Sequence, residues 1–144
     1  MKVAKEKEKE KEKEKEKEKG KKILVVDDEP DNASIFTMGL EDGGFKVDSF
    51  TDPSLALSKF KSDHKKYQLL ILDIKMPEMN GFELYEEIRK IDNNVKTCFL
   101  TAFGEGYTEE FGRRFSSSIN VSFIRKPIRV DDLVKKVNEM VMAN

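Results

Sequence analysis

The sequence predicts an α/β protein: a doubly wound sheet of five parallel strands in the order 2-1-3-4-5, flanked by five helices. Short apolar runs alternate five times with segments whose apolar residues recur at helical spacing, and parallel strands need the crossovers that helices supply. The runs at Ile23 and Leu69 are apolar at successive positions, as central strands buried on both faces are, whereas Phe45-Lys46-Val47-Asp48 alternates like an edge. Four runs also lead into polar residues of complementary chemistry: Asp27-Asp28 after Ile23 to Val26, Asp73 after Leu69 to Leu72, Thr101 after Cys98 to Leu100, and Lys126 after Phe123-Ile124. The carboxyl ends of the strands in such a sheet border one crevice, and this strand order makes Asp27, Asp28 and Asp73 neighbours at its switch point.

Each element has its own signal. After a strand from Ile23 to Val26, a helix runs from Pro30 to Asp42 and stops at Gly43-Gly44, since glycine past a helix end is a stop signal. A strand from Phe45 to Thr51 leads to a helix capped by Thr51 or Asp52, with Pro53 at its first position and Ala56, Leu57 and Phe60 facing inward. The strand from Tyr67 to Leu72 is followed by a loop from Ile74 to Asn80, then a helix opened by Gly81 that carries Leu84, Tyr85, Ile88 and Ile91. Val95 to Leu100 forms the fourth strand. Tyr107, Phe111 and Phe115 recur every four residues and predict a short helix, Asn120 to Ile124 the last strand, and Val130 to Val141 the last helix, with Leu133, Val134, Val137, Met140 and Val141 on one face.

Composition narrows the functional classes. The 144 residues suit one domain of ordinary size. Residues 1–21 form a Lys/Glu-rich tail expected to be disordered, because no apolar residue between Ala4 and Ile23 can offset the entropy of ordering; residues 22–144 form the domain. The net charge of −1 is uneven: residues 1–22 hold 11 lysines and 7 glutamates, leaving the remainder at −5. An acidic domain argues against direct nucleic-acid binding and suits capture of a divalent cation. A single cysteine, Cys98, excludes an intramolecular disulfide, and the short apolar runs exclude a membrane span, so a soluble cytoplasmic protein is expected.

Three carboxylates, a hydroxyl and an ammonium at one sheet edge are the inventory of a metal-assisted phosphoryl-transfer site. The pieces VVDDEP at 25–30, LLILDIKMPEMNGFELYEEIRK at 69–90, FLTA at 99–102 and FIRKPI at 123–128 closely resemble, in order and spacing, the receiver domains of two-component response regulators. The resemblance covers Lys22 to about Met142 and implies the flavodoxin-like fold of the CheY-like superfamily, as a stand-alone receiver without an output domain. It implies Asp73 as phosphoacceptor, with Asp28 a direct Mg²⁺ ligand, Asp27 acting through water, and the backbone carbonyl of Lys75 completing the protein's share of an octahedral oxygen shell. It further implies that Lys126 and Thr101 hold the phosphoryl oxygens, that Phe123 turns inward behind Thr101 on switching, and that the Lys126-Pro127 bond is cis. A sensor histidine kinase would supply the phosphoryl group. A downstream protein or a histidine phosphotransfer partner would read it, the receiver being a monomer or a phosphorylation-dependent dimer, and a phosphoacceptor that assists its own turnover rather than a dedicated enzyme.

Taken singly, each of these residues has a plainer reading. An isolated Asp at a strand end is more often a helix cap, Thr101 alone a turn residue and Lys126 alone a solvated charge. His64, among Asp63, Lys65 and Lys66, reads as solvated, and Cys98 as core. Phe103, Tyr107 and Phe111 fit core or partner surface equally. Two positions depart from the common family pattern: Lys75, two residues after Asp73, is expected to lengthen the phosphorylated state, and Phe123 lacks the hydroxyl of a tyrosine. Two competing functions fit the sequence less well. A haloacid-dehalogenase-type phosphatase needs a second Asp two residues after the nucleophile, where Lys75 stands. A phosphate-independent interaction module on the same fold has no use for the intact Asp28, Asp73, Thr101 and Lys126 set. A nucleotide-binding reading fails because no glycine-rich phosphate loop follows the first strand.

Overall fold

The computed structural model describes residues 21–102, 113, 115 and 120–143. Five parallel strands, β1 (Lys22–Val26), β2 (Lys46–Phe50), β3 (Tyr67–Asp73), β4 (Lys96–Thr101) and β5 (Val121–Arg125), form one sheet in the order β2-β1-β3-β4-β5. Among the described residues there are four α-helices, not five: α1 (Pro30–Asp42), α2 (Pro53–Asp63), α3 (Gly81–Arg89) and α4 (Val130–Met142). The helix expected from Tyr107 to Phe115 lies outside the described residues except for Arg113 and Phe115, both helical. A single 3-10 turn, His64–Lys66, joins α2 to β3.

Alternating side chains of each central strand feed two separate cores. Leu24, Val26, Leu70, Leu72 and Phe99 face Ala56 and Phe60 of α2 and Phe82, Leu84, Tyr85 and Ile88 of α3. Ile23, Val25, Leu69, Ile71, Cys98 and Leu100 face Phe36 and Leu40 of α1 and Leu133 and Val137 of α4. Burial on both faces is why the β1 and β3 sequences run apolar without alternation. On the first face Phe82, Tyr85, Phe99 and Phe115 stack as a ring cluster with centroids 4.9–5.7 Å apart.

Element boundaries follow local chemistry. Asp52, not Thr51, caps α2, its carboxylate accepting from the Ser54 N–H at 2.8 Å. Asn80 and Glu83 close a reciprocal capping box around the start of α3. At the other end of that helix, Arg89 is the last helical residue, so Ile91 falls beyond it and packs from the following turn. Gly43 ends α1, and Gly44 takes φ +95°, a backbone region that only glycine enters without strain. The amino ends of the strands share one edge, where Lys21 N–H donates to the Lys66 carbonyl and Gln68 Nε2 to the Lys21 carbonyl. On that same edge the Lys96 ammonium, at the start of β4, binds the carbonyls of Met140 and Ala143 and so caps the carboxyl end of α4.

Candidate functional site

At the opposite edge, β1 and β3 pair with Val26 beside Leu72, so the next residues, Asp27 and Asp73, emerge side by side. Asp27 is fully buried, Asp73 is 5 % exposed and Asp28 is half-buried. Their carboxylates each offer an oxygen within 4.8 Å of the others, a cluster able to hold a metal ion. Asp27 is fixed twice: Oδ1 accepts the Glu29 N–H at 3.0 Å, and Oδ2 accepts the Lys126 ammonium at 2.9 Å. That ammonium lies 3.6 Å from Asp73 Oδ2. Lys126 therefore bridges two carboxylates and sits nearer to Asp27 than to the residue it is expected to serve.

The cluster is electrostatically frustrated. Burial pushes the Asp73 carboxyl up to about 7; the Lys126 ammonium opposes this, while the charge of Asp27 and the hydrogen bond and charge of Asp28 add to it. Burial works against the charged Lys126, but its hydrogen bond to Asp27 and the charges of Asp73 and Asp27 outweigh that cost, so it titrates above the usual lysine value. Three crowded carboxylates, two of them sharing the Lys126 ammonium, are short of positive charge, and a hard divalent cation with oxygen preference fits that donor set.

Thr101 ends β4, one residue beyond the partner of Asp73, and is buried; its hydroxyl donates to the Ala102 carbonyl at 2.8 Å. Lys126 follows β5, where its N–H donates to the Thr101 carbonyl and its bond to Pro127 is cis. Phe123, beside Phe99 in the sheet, is partly buried against the ring cluster. Lys75 is exposed and lines a groove of about 440 Å³ together with Glu29, Asn32, Asp73, Ala102 and Lys126, floored by Phe36 and Ile128. All the predicted site residues thus converge on one edge, except that Phe123 lies two residues below it. His64 is not part of the site, and Cys98 is core as expected, its thiol pushed up to about 12 by burial.

Sequence reasoning took Gly81 as a helix start and missed its contact with Asp73. The main-chain loop from Asp73 closes on itself, Ile74 N–H donating to Leu100 and Ile74 carbonyl accepting from Gly81 N–H. A methyl group at Gly81 would lie 2.4 Å from the Asp73 carbonyl oxygen, so α3 starts directly against the backbone of Asp73. A glycine in the first helical position is the signal that could have revealed it. Glu29 was also passed over, because only the groove shows it beside Asp73.

Residues 23–138 match the family model described as the response regulator receiver domain. The chain is 28 % identical over 123 residues to the response regulator receiver protein CpdR of Brucella abortus, covering 85 % of this chain and 98 % of that protein. It is 34 % identical over 118 residues to the sensor protein EvgS of Escherichia coli, covering 82 % of this chain but only 9 % of EvgS. Among solved structures, a response regulator receiver domain protein from Clostridium thermocellum aligns with a TM-score of 0.73 at 26 % identity, covering 83 % of this chain and 93 % of that one. A CheY-like receiver domain protein from Methanospirillum hungatei aligns with a TM-score of 0.72 at 27 % identity, covering 85 % and 94 %. With the strand order, the carboxylate cluster at the switch point and a family match across nearly the whole sheet, the chain belongs to the response regulator receiver domain family.

Proposed function

We propose that this receiver accepts a phosphoryl group on Asp73 from a sensor histidine kinase, in a Mg²⁺-dependent reaction, and passes the signal to a downstream protein or a histidine phosphotransfer partner. The observation that carries the reading is the bridge from Lys126 to Asp27 and Asp73 within a cluster of three strand-end carboxylates. Asp27, Asp28 and the carbonyl of Lys75, together with Asp73, would hold Mg²⁺, which when bound would offset the negative charge of the carboxylates and of the phosphoryl oxygens.

The protein's own residues do the rest. The Asp73 carboxylate attacks phosphorus as the bond to the donor's leaving group breaks, giving an acyl phosphate. Lys126 shares its charge between Asp27 and Asp73, and its ammonium turns toward the phosphoryl oxygens once these arrive. Thr101 exchanges its hydrogen bond to the Ala102 carbonyl for one to the phosphoryl group, and Phe123 follows by packing, with no hydroxyl to bond. The partner-binding surface changes with these two side chains as a shift between two existing states. Lys75 holds the phosphoryl group or keeps attacking water away.

Intact mass after incubation with acetyl phosphate, with and without Mg²⁺, tests the reading. A Mg²⁺-dependent phosphoryl adduct absent from Asp73→Ala is expected; no adduct on the parent would leave a phosphate-independent binding module.

A further inference from the structure

Glu29 is a fourth carboxylate at a crevice that must admit an anion. Its side chain lines the same groove as Asp73, Lys75 and Lys126, yet it is no member of the carboxylate cluster formed by Asp27, Asp28 and Asp73. Nor does it serve the helix it precedes, since as the residue before α1 it makes no side-chain capping bond. Instead Asn32 Nδ2 donates to Glu29 Oε2 at 3.0 Å, while the Glu29 N–H donates to Asp27. Its main chain is thus tied to Asp27 and its exposed side chain to the first turn of α1.

A carboxylate in that position has an electrostatic cost. Phosphoryl donors are anionic and the crevice already holds three carboxylates, so another one repels a purely anionic donor. The charge becomes favourable only when the donor carries a positive group of its own. An N-phosphorylated imidazole does: its phosphoryl end is anionic, and protonation of the second ring nitrogen gives its leaving group an N–H that a carboxylate accepts. Cations for the phosphoryl end come from the two other loops of the groove, Lys126 after β5 and Lys75 after β3, and the Lys75 ammonium has no partner among the described residues.

We propose that Glu29 makes the site selective for N-phosphorylated imidazole over acyl phosphates by binding the protonated ring of the leaving group, a role that rests on Asp73 being the phosphoacceptor. As the bond from the Asp73 oxygen to phosphorus forms, the P–N bond breaks and its electron pair stays on the ring nitrogen. The proton remains on the other nitrogen, facing Glu29, so the imidazole departs neutral and Glu29 stays a carboxylate.

Initial phosphorylation rates of the parent and Glu29→Gln, followed by intact mass at pH 7 with Mg²⁺ in excess, separate two small donors, phosphoimidazole and acetyl phosphate. Glu29→Gln should lower the phosphoimidazole rate roughly five-fold and raise the acetyl phosphate rate about two-fold. Changes in the same direction for both donors, or an unaltered phosphoimidazole rate, overturn the proposal. Labelling of the parent by acetyl phosphate, abolished in Asp73→Ala, tests the underlying reading separately: without it phosphoacceptor chemistry falls, whereas with it a donor-blind Glu29→Gln removes only the role of Glu29.

Discussion

Asp73→Asn should stabilise the metal-free protein at pH 8 and leave it nearly unchanged near pH 4. In the folded chain the Asp73 carboxyl titrates near 7, against an ordinary value of 3.8 expected once unfolded. The folded state therefore binds this proton more tightly, a contribution to stability that is complete below about pH 4 and lost as the pH rises through 7. Each pH unit between the two values corresponds to about 1.4 kcal/mol, which gives roughly 4 kcal/mol in full, and solvent reaching the crevice reduces this to about 2 kcal/mol. Asparagine has no charge to bury, so urea unfolding in EDTA should show the variant ahead by about 2 kcal/mol at pH 8, with the gap closing between pH 7 and pH 4. Added Mg²⁺ should recover most of that difference in the parent. Parallel stability profiles for the two proteins from pH 4.5 to 8 would refute the reasoning, because they would mean that the carboxylates are not in conflict.

Four further outcomes are expected. Lys126→Met leaves the fully buried Asp27 without its cation and should cost about 3 kcal/mol in urea unfolding, besides slowing labelling by acetyl phosphate. Gly81→Ala places a methyl 2.4 Å from the Asp73 carbonyl oxygen. Relieving that clash should cost about 2 kcal/mol and displace Asp73, seen as a reduced labelling rate at saturating Mg²⁺. Lys75→Asn should shorten the lifetime of the phosphorylated protein, measured as loss of the adduct by mass after removal of donor, and equal rates would remove the role given to Lys75. Asn80→Ala opens the capping box of α3 and should cost about 1 kcal/mol without changing the labelling rate per folded molecule.

The fold was legible because its signals are local. Continuous apolar runs mark β1 and β3 as central, Pro53 and Gly43 mark helix ends, and polar residues at four strand ends point to one crevice. Thr51 and Asp52 were not separable by sequence, since both side chains can cap and only backbone geometry selects Asp52. The pairing of Lys126 with Asp27 was hidden for a different reason: the two residues are 99 positions apart, and which of several carboxylates a flexible side chain reaches depends on packing. Lys96 read as an ordinary strand residue after Val95, because the carbonyls it caps lie at the end of a helix more than 40 residues away. Gly81 read as a helix start, and its contact with Asp73 needed the third dimension.

Lys21 and Ala143 are both tied to the same sheet edge, by Lys66 and Gln68 on one side and by Lys96 on the other. Strands of five to seven residues place that edge roughly 17–20 Å from Asp73. A receiver anchored in this way behaves like a plug with its wiring at the back. A group attached at Lys21 or Ala143 would start from the edge opposite the crevice and its groove.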